Sequence, residues 1–189
     1  HEIDQLYLNR GDGTFENVSS ASGIIDTRGR GLGIVAFDLD HSGMLDLYVA
    51  NDVGPNFFFW NQTGDDKSIP AFVEQATLMG FALNAAGDFE SGMGIAYGDV
   101  DGDQLIDLFV TNFYSESNVL YRQQPGLLFD DVTRTSGLHD GSLSMVAFGT
   151  QFLDSDLDGH LDVVIANGHI TGSHEYRNEP LQMRPQYFH

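Results

Sequence analysis

The feature that most constrains this chain is a period of 57 residues. Phe15, Phe72 and Phe129 recur at that interval, and so do Gly23, Gly80 and Gly137. A third feature, Gly-x-x-x-x-Asp, occurs as Gly33 with Asp38, Gly94 with Asp99 and Gly149 with Asp154, at intervals of 61 and 55 residues. Insertions between features explain the drift. Self-similarity at such a period marks stacked units, each of which buries its faces only against its neighbours.

Each unit reads as four short strands. The first is an apolar segment such as Gly33-Ile-Val-Ala-Phe37, and an acidic turn follows it. The second is Leu45-Asp-Leu-Tyr-Val-Ala50, Ile106-Asp-Leu-Phe-Val110 or Leu161-Asp-Val-Val-Ile-Ala166. These runs are β-branched and aromatic, and nearly continuous in hydrophobicity, as befits strands covered on both faces. Phe57-Phe-Phe-Trp60 and Val119-Leu-Tyr121 fit third strands. The segments starting at Phe72 and Phe129 fit more polar fourth strands. No segment holds a helical period beyond a turn or two.

Four-stranded units of ~40 to 50 residues are the signature of β-propeller blades. The expected fold is therefore all-β, built from blades of four antiparallel strands. The boundaries read as an outer half-blade at 1–24, blades at 25–81 and 82–138, and an inner half-blade at 139–189 that reaches the start of a third strand. That is three blades' worth of sequence. Propellers close with roughly four to eight blades, so the expectation is a segment of a larger ring, completed by further blades or by another chain.

Composition narrows the partners. The 189 residues carry 28 acidic and 8 basic side chains, a formal charge of −20, which repels phosphate backbones and anionic lipid surfaces. Neither nucleic-acid binding nor membrane insertion is expected, and cations are the natural partners. No apolar run approaches the ~18 residues of a membrane helix, and the chain has no Cys.

The acidic turns concentrate that charge. They read Asp38-Leu-Asp40-His-Ser42-Gly43-Met44-Leu-Asp46, Asp99-Val-Asp101-Gly-Asp103-Gln104-Leu105-Ile-Asp107 and Asp154-Ser-Asp156-Leu-Asp158-Gly159-His160-Leu-Asp162. Acidic side chains recur at loop positions 1, 3, 5 and 9. Such crowding is self-repelling without a compensating cation, and several hard oxygen donors favour Ca²⁺. Position 7 would offer its backbone carbonyl, which is why Met44, Leu105 and His160 can be chemically unrelated. An EF-hand is rejected because its bidentate Glu at position 12 is replaced by Val49, Val110 and Ile165, which lie in strand-like runs.

These turns, with Leu6-Tyr-Leu-Asn-Arg-Gly-Asp-Gly-Thr-Phe15 and Asp46-Leu-Tyr-Val-Ala-Asn-Asp52, carry a resemblance across essentially the whole chain. The sequence resembles the FG-GAP or VCBS repeat family, whose calcium-loaded blades occur in the integrin α-chain head. It looks closer to the secreted bacterial and cartilage acidic protein branch, often linked to an ASPIC/UnbV segment that this sequence lacks. The resemblance implies a seven-bladed propeller, up to three Ca²⁺ held between the first two strands of each blade, and an extracellular or periplasmic location. The loops depart from one another. The first has Ser42 at position 5 and three carboxylates, and the second has Gln104 where the others have Gly43 and Gly159. A non-Gly residue at positive φ costs roughly 1 kcal/mol. The third loop keeps the full set and is expected to bind most tightly.

A catalytic site is harder to find. His1 and His189 lie at the ends, His41 and His160 in the acidic turns, and His139 and His174 beside Asp140 and Glu175. His169, after an inner strand, is the best candidate. No nucleophile elbow, phosphate loop or dinucleotide fingerprint occurs. Arg10-Gly11-Asp12 reads as a hairpin turn, and Phe57-Phe-Phe-Trp60 as packing between blades. The expected function is a noncatalytic calcium-binding module for extracellular protein or glycan interaction, adhesion or scaffolding. The alternatives are part of a propeller enzyme acting on polysaccharide, a lyase or hydrolase, and a structural subunit of a larger assembly.

Overall fold

A computed structural model of the protein describes residues 3–64, 68–170 and 182–189. His1, His174 and Glu175 lie outside the described residues. The fold is all-β, in four antiparallel sheets. The first is a hairpin of β1 (Tyr7–Asn9) and β2 (Phe15–Asn17). The second runs in chain order through β3 (Gly31–Phe37), β4 (Asp46–Asn51), β5 (Phe57–Asn61) and β6 (Phe72–Glu74). A one-turn helix, α1 (Ala76–Met79), leads away from it.

The third sheet repeats that order with β7 (Ile95–Gly98), β8 (Asp107–Val110), β9 (Val119–Gln124) and β10 (Leu128–Asp131). After a second short helix, α2 (His139–Ser142), comes a sheet of β11 (Ala147–Leu153), β12 (Asp162–Asn167) and β13 (Gln186–Phe188). The last unit, expected as an inner half-blade with the start of a third strand, thus pairs a third strand to its second, Val163 opposite Phe188. These are propeller blades that fan side by side without closing a ring.

Burial follows strand order. β8 is buried throughout and β4 nearly so, while β3 leaves Leu32 and Ile34 exposed. Between the second and third sheets lies the largest apolar cluster, in which Phe81 stacks on Phe129 at 4.1 Å and on Tyr48 at 5.1 Å. Phe57, Phe58 and Phe59 are all buried, Phe58 in this cluster and the other two in the one facing the first hairpin. The aromatic stripe is therefore packing between blades. A third cluster, with Phe109, Phe152 and Ile165, joins the third sheet to the last.

The 57-residue period marks one contact between neighbouring sheets. A Cβ built on Gly23 would lie 2.4 Å from the Phe72 carbonyl oxygen, and one on Gly80 would lie 2.6 Å from that of Phe129. The first of these seams is closed by the Phe72 amide, which donates to the Ser22 carbonyl at 2.7 Å. The Gly-x-x-x-x-Asp glycines do the same at the inner strands: Gly33 sits against the carbonyl of Met93, and Gly94 against that of Phe148. Both series end alike, because Gly137 and Gly149 meet nothing within 4 Å among the described residues. At the other flank Phe15 is 62% exposed, whereas Phe72 and Phe129 are 9% and 5% exposed.

Candidate metal centres in the acidic turns

The three acidic turns join β3 to β4, β7 to β8 and β11 to β12, and all share one backbone solution. The Asp at position 1 gathers amides: Asp38 accepts from Ser42 and Gly43 at 2.9 and 2.8 Å, Asp99 from Gly102, Asp103 and Gln104, and Asp154 from Asp158 and Gly159. The side chain at position 5 accepts from the amide at position 7, as Ser42 from Met44, Asp103 from Leu105 and Asp158 from His160.

Positions 4 and 6 both take positive φ in every turn: His41 and Gly43, Gly102 and Gln104, Leu157 and Gly159. This corrects the strain assigned to the second loop alone. Each loop holds one Gly and one non-Gly residue in the left-handed region, and only their order differs. Sequence could not show this, since position 4 carries no turn residue in two of the three loops.

The Asp at position 9 is nearly inaccessible and anchors its turn. Asp46 accepts from the Leu39 amide at 3.0 Å and the Asn61 amide at 2.7 Å, and Asp107 from Val100 and Gln123 in the same way. Burial is the main cause that raises both carboxyls, Asp107 to about 6, with the neighbouring turn carboxylates adding to the effect.

Two turns bring three carboxylates together. One oxygen from each of Asp38, Asp40 and Asp46 lies within 4.8 Å of the others, and Asp99, Asp101 and Asp107 repeat the arrangement. Oxygen-only donor sets at this spacing fit a hard divalent cation. Ser42 and Asp103 border these groups, with Met44 and Leu105 two residues further on.

The third turn differs. There Asp156 and Asp158 group with His189, while Asp162 is held by the Ser155 hydroxyl, by the Tyr187 hydroxyl at 2.8 Å and by His189 Nδ1 at 2.7 Å. These bonds, led by that of Ser155, hold the Asp162 carboxyl well below the usual carboxylate range. The metal-ligating group in this turn thus joins Asp156 and Asp158 to His189 and not to Asp154 and Asp162, the other members of its full acidic set. His160 sits at position 7 without joining the group.

A recurring partner escaped the sequence reading. Leu47 opposes Phe59, Leu108 opposes Tyr121 and Val163 opposes Phe188, so Trp60, Arg122 and His189 hold equivalent places opposite the closing Asp. Each reaches the carboxylate at position 3. Trp60 Nε1 donates to Asp40 at 3.0 Å, Arg122 Nη1 lies 3.5 Å from Asp101, and His189 Nε2 lies 4.0 Å from Asp156.

At the opposite end of the sheets, the connections preceding β7, between β8 and β9, and after β10 enclose a cavity of about 540 Å³. Asp88, Glu90, Glu116, Asp131, Arg134 and His139 are among its lining residues. Burial pushes Glu90 up to about 7, and its carboxylate accepts from the side-chain amides of Asn84 and Asn112 at 3.2 and 2.8 Å. His169 packs against Phe113 and Tyr114 and does not line this cavity. Arg10-Gly11-Asp12 forms the β1–β2 turn, closed by the Arg10 amide on the Thr14 carbonyl at 3.0 Å.

The FG-GAP-like repeat family matches residues 3–49, 38–110 and 99–165, windows that each end in the strand following an acidic turn. Cartilage acidic protein 1 of Homo sapiens is 23% identical over 96% of this chain and 28% of its own length. The Xenopus tropicalis and Mus musculus proteins of that name are 26% and 22% identical over 86% of the chain. The chain spans about a quarter of the length of these curated relatives. Among the described residues no helix is long and apolar enough to cross a membrane.

Proposed function

Because the chain belongs to the FG-GAP-like repeat family, we propose that its acidic turns hold calcium and that the segment is a noncatalytic, calcium-rigidified module for binding an extracellular protein or glycan. The observation that carries this reading is the recurrence of one carboxylate triplet, Asp38 with Asp40 and Asp46 and Asp99 with Asp101 and Asp107, in turns of identical backbone design. Calcium supplies the charge that such turns need, and the carbonyls of Met44, Leu105 and His160 and the side chains of Ser42 and Asp103 would complete the donor sets. The third turn would use Asp154, Asp156, Asp158 and Asp162 only after Asp162 exchanges its present partners. A secreted location would match turns of the extracellular-module type, whose affinities of about 10⁻⁴ to 10⁻³ M are met by the calcium found outside cells. The partner that completes the ring is the rest of the propeller or another chain.

A calcium titration of chelator-treated protein tests this, followed by calorimetry, melting temperature and tryptophan emission. Trp60 is the only Trp and touches Asp40, so its emission reports the first turn. Millimolar calcium should raise the melting temperature by mass action and change the emission, and Asp40→Asn should remove the emission change. No heat, no thermal shift and no emission change would sink the metal reading.

The reading as part of a polysaccharide lyase or hydrolase rests on Glu90, whose pKa of about 7 suits a general acid. Incubation with neutral and acidic polysaccharides should release no new reducing or unsaturated ends if the module only binds.

A further inference from the structure

The three turns are alike in backbone and differ most in the side chain that the third strand sets against position 3. Trp60 offers the first turn a neutral N–H, Arg122 offers the second a permanent positive charge, and His189 offers the third an imidazole. The spacing from the closing Asp to this residue is 14, 15 and 27 residues, so only strand pairing reveals the equivalence. We propose, on the basis of the calcium reading, that this third-strand side chain sets the metal affinity of its turn, and that Arg122 is a tethered counter-cation which holds the second turn together without metal and weakens its calcium binding.

The argument is one of charge. Arg122 Nη1 stands 3.5 Å from Oδ2 of Asp101, whose carboxylate belongs to the group that would face the ion, and both side chains are partly exposed. A guanidinium cannot lose its proton, so it remains positive when a divalent ion arrives at the same carboxylates. It stabilises the metal-free turn, where Asp99, Asp101, Asp103 and Asp107 otherwise repel one another, and it repels the ion. Trp60 orients Asp40 without adding charge, so the first turn keeps its affinity despite having one carboxylate fewer.

A unit charge about 6 Å from a divalent ion, in a solvent-like dielectric with ordinary screening, changes affinity roughly three- to tenfold. The experiment compares calcium isotherms of the 189-residue chain with those of Arg122→Gln and Trp60→Arg, with Asp101→Asn identifying the second site. Arg122→Gln should tighten the site that Asp101→Asn removes by that factor and lower the melting temperature in chelator. Trp60→Arg should weaken the first site by a similar factor. If the wild type binds calcium but both variants leave every constant within twofold, the counter-cation proposal is overturned while the calcium reading stands. If the wild type binds no calcium, the calcium reading itself fails and takes this proposal with it.

Discussion

Gly94→Ala tests how the sheets are joined. A methyl group at this position would lie 1.9 Å from the Phe148 carbonyl oxygen and 2.9 Å from both its carbon and Thr111 Oγ1. Two of these three neighbours are backbone, so β7 and β11 must separate. The hydroxyl of Thr111 donates to Phe148 at 2.6 Å and accepts from the Gly94 amide at 2.7 Å, and these two bonds stretch with the movement. Weakening two part-buried hydrogen bonds and overpacking the seam together amount to about 3 kcal/mol, on the order of 6–12 °C in melting temperature for a chain of this size. Gly149→Ala is the matched control. It is the same substitution at the same repeat position with nothing within 4 Å among the described residues, and reduced freedom of the unfolded chain makes it neutral or stabilising by about 0.5 kcal/mol. Thermal unfolding followed by circular dichroism reads both. Equal melting temperatures for the two variants would refute the claim that these glycines exist to let neighbouring inner strands touch.

Asp46→Ala strands the Leu39 and Asn61 amides in a site only 1% exposed and should lower stability by about 2–4 kcal/mol even in chelator, as denaturant midpoints will show. For Glu90, folding raises the pKa from 4.5 to about 7, so the folded state holds the proton more tightly between those values and the stabilisation present below pH 4.5 is lost as pH rises to 7. Asp107, raised to about 6, acts in the same sense. Glu90→Gln should therefore flatten the decline in melting temperature between pH 5 and 8; an unchanged slope would show that Glu90 does not titrate in that window.

What could be read in advance was what repeats along the chain. Phe15, Phe72 and Phe129 with Gly23, Gly80 and Gly137 gave the period, because each copy repeats one covalent spacing. The acidic turns were legible for the same reason, being short and local. The contact behind the period was not, since Gly80 meets Phe129 across two sheets and no spacing records which atoms face each other. Trp60, Arg122 and His189 were missed because the connections before them differ in length, and their chemistry differs even more. The left-handed residues His41 and Leu157 were invisible because the amides gathered by Asp38 and Asp154, and not their own propensity, fix the backbone there. His189 looked like an inert terminal residue until β13 placed it against Asp162.

Gly137 and Gly149, which meet no described residue within 4 Å, have a counterpart on the other flank, where Phe15 and Leu32 stand exposed. One flank carries the recesses and the other Phe15 and Leu32, which hold the repeat positions of Phe72 and Phe129 and of Met93 and Phe148, the residues whose carbonyls fill such recesses elsewhere in the molecule. A contact between unlike, matching faces is heterologous, so its repetition either closes on itself or propagates without end. The handedness and angle of a single seam therefore decide between a finite ring and a fibre, and duplicating a unit adds a ready-made neighbour without any new interface having to arise.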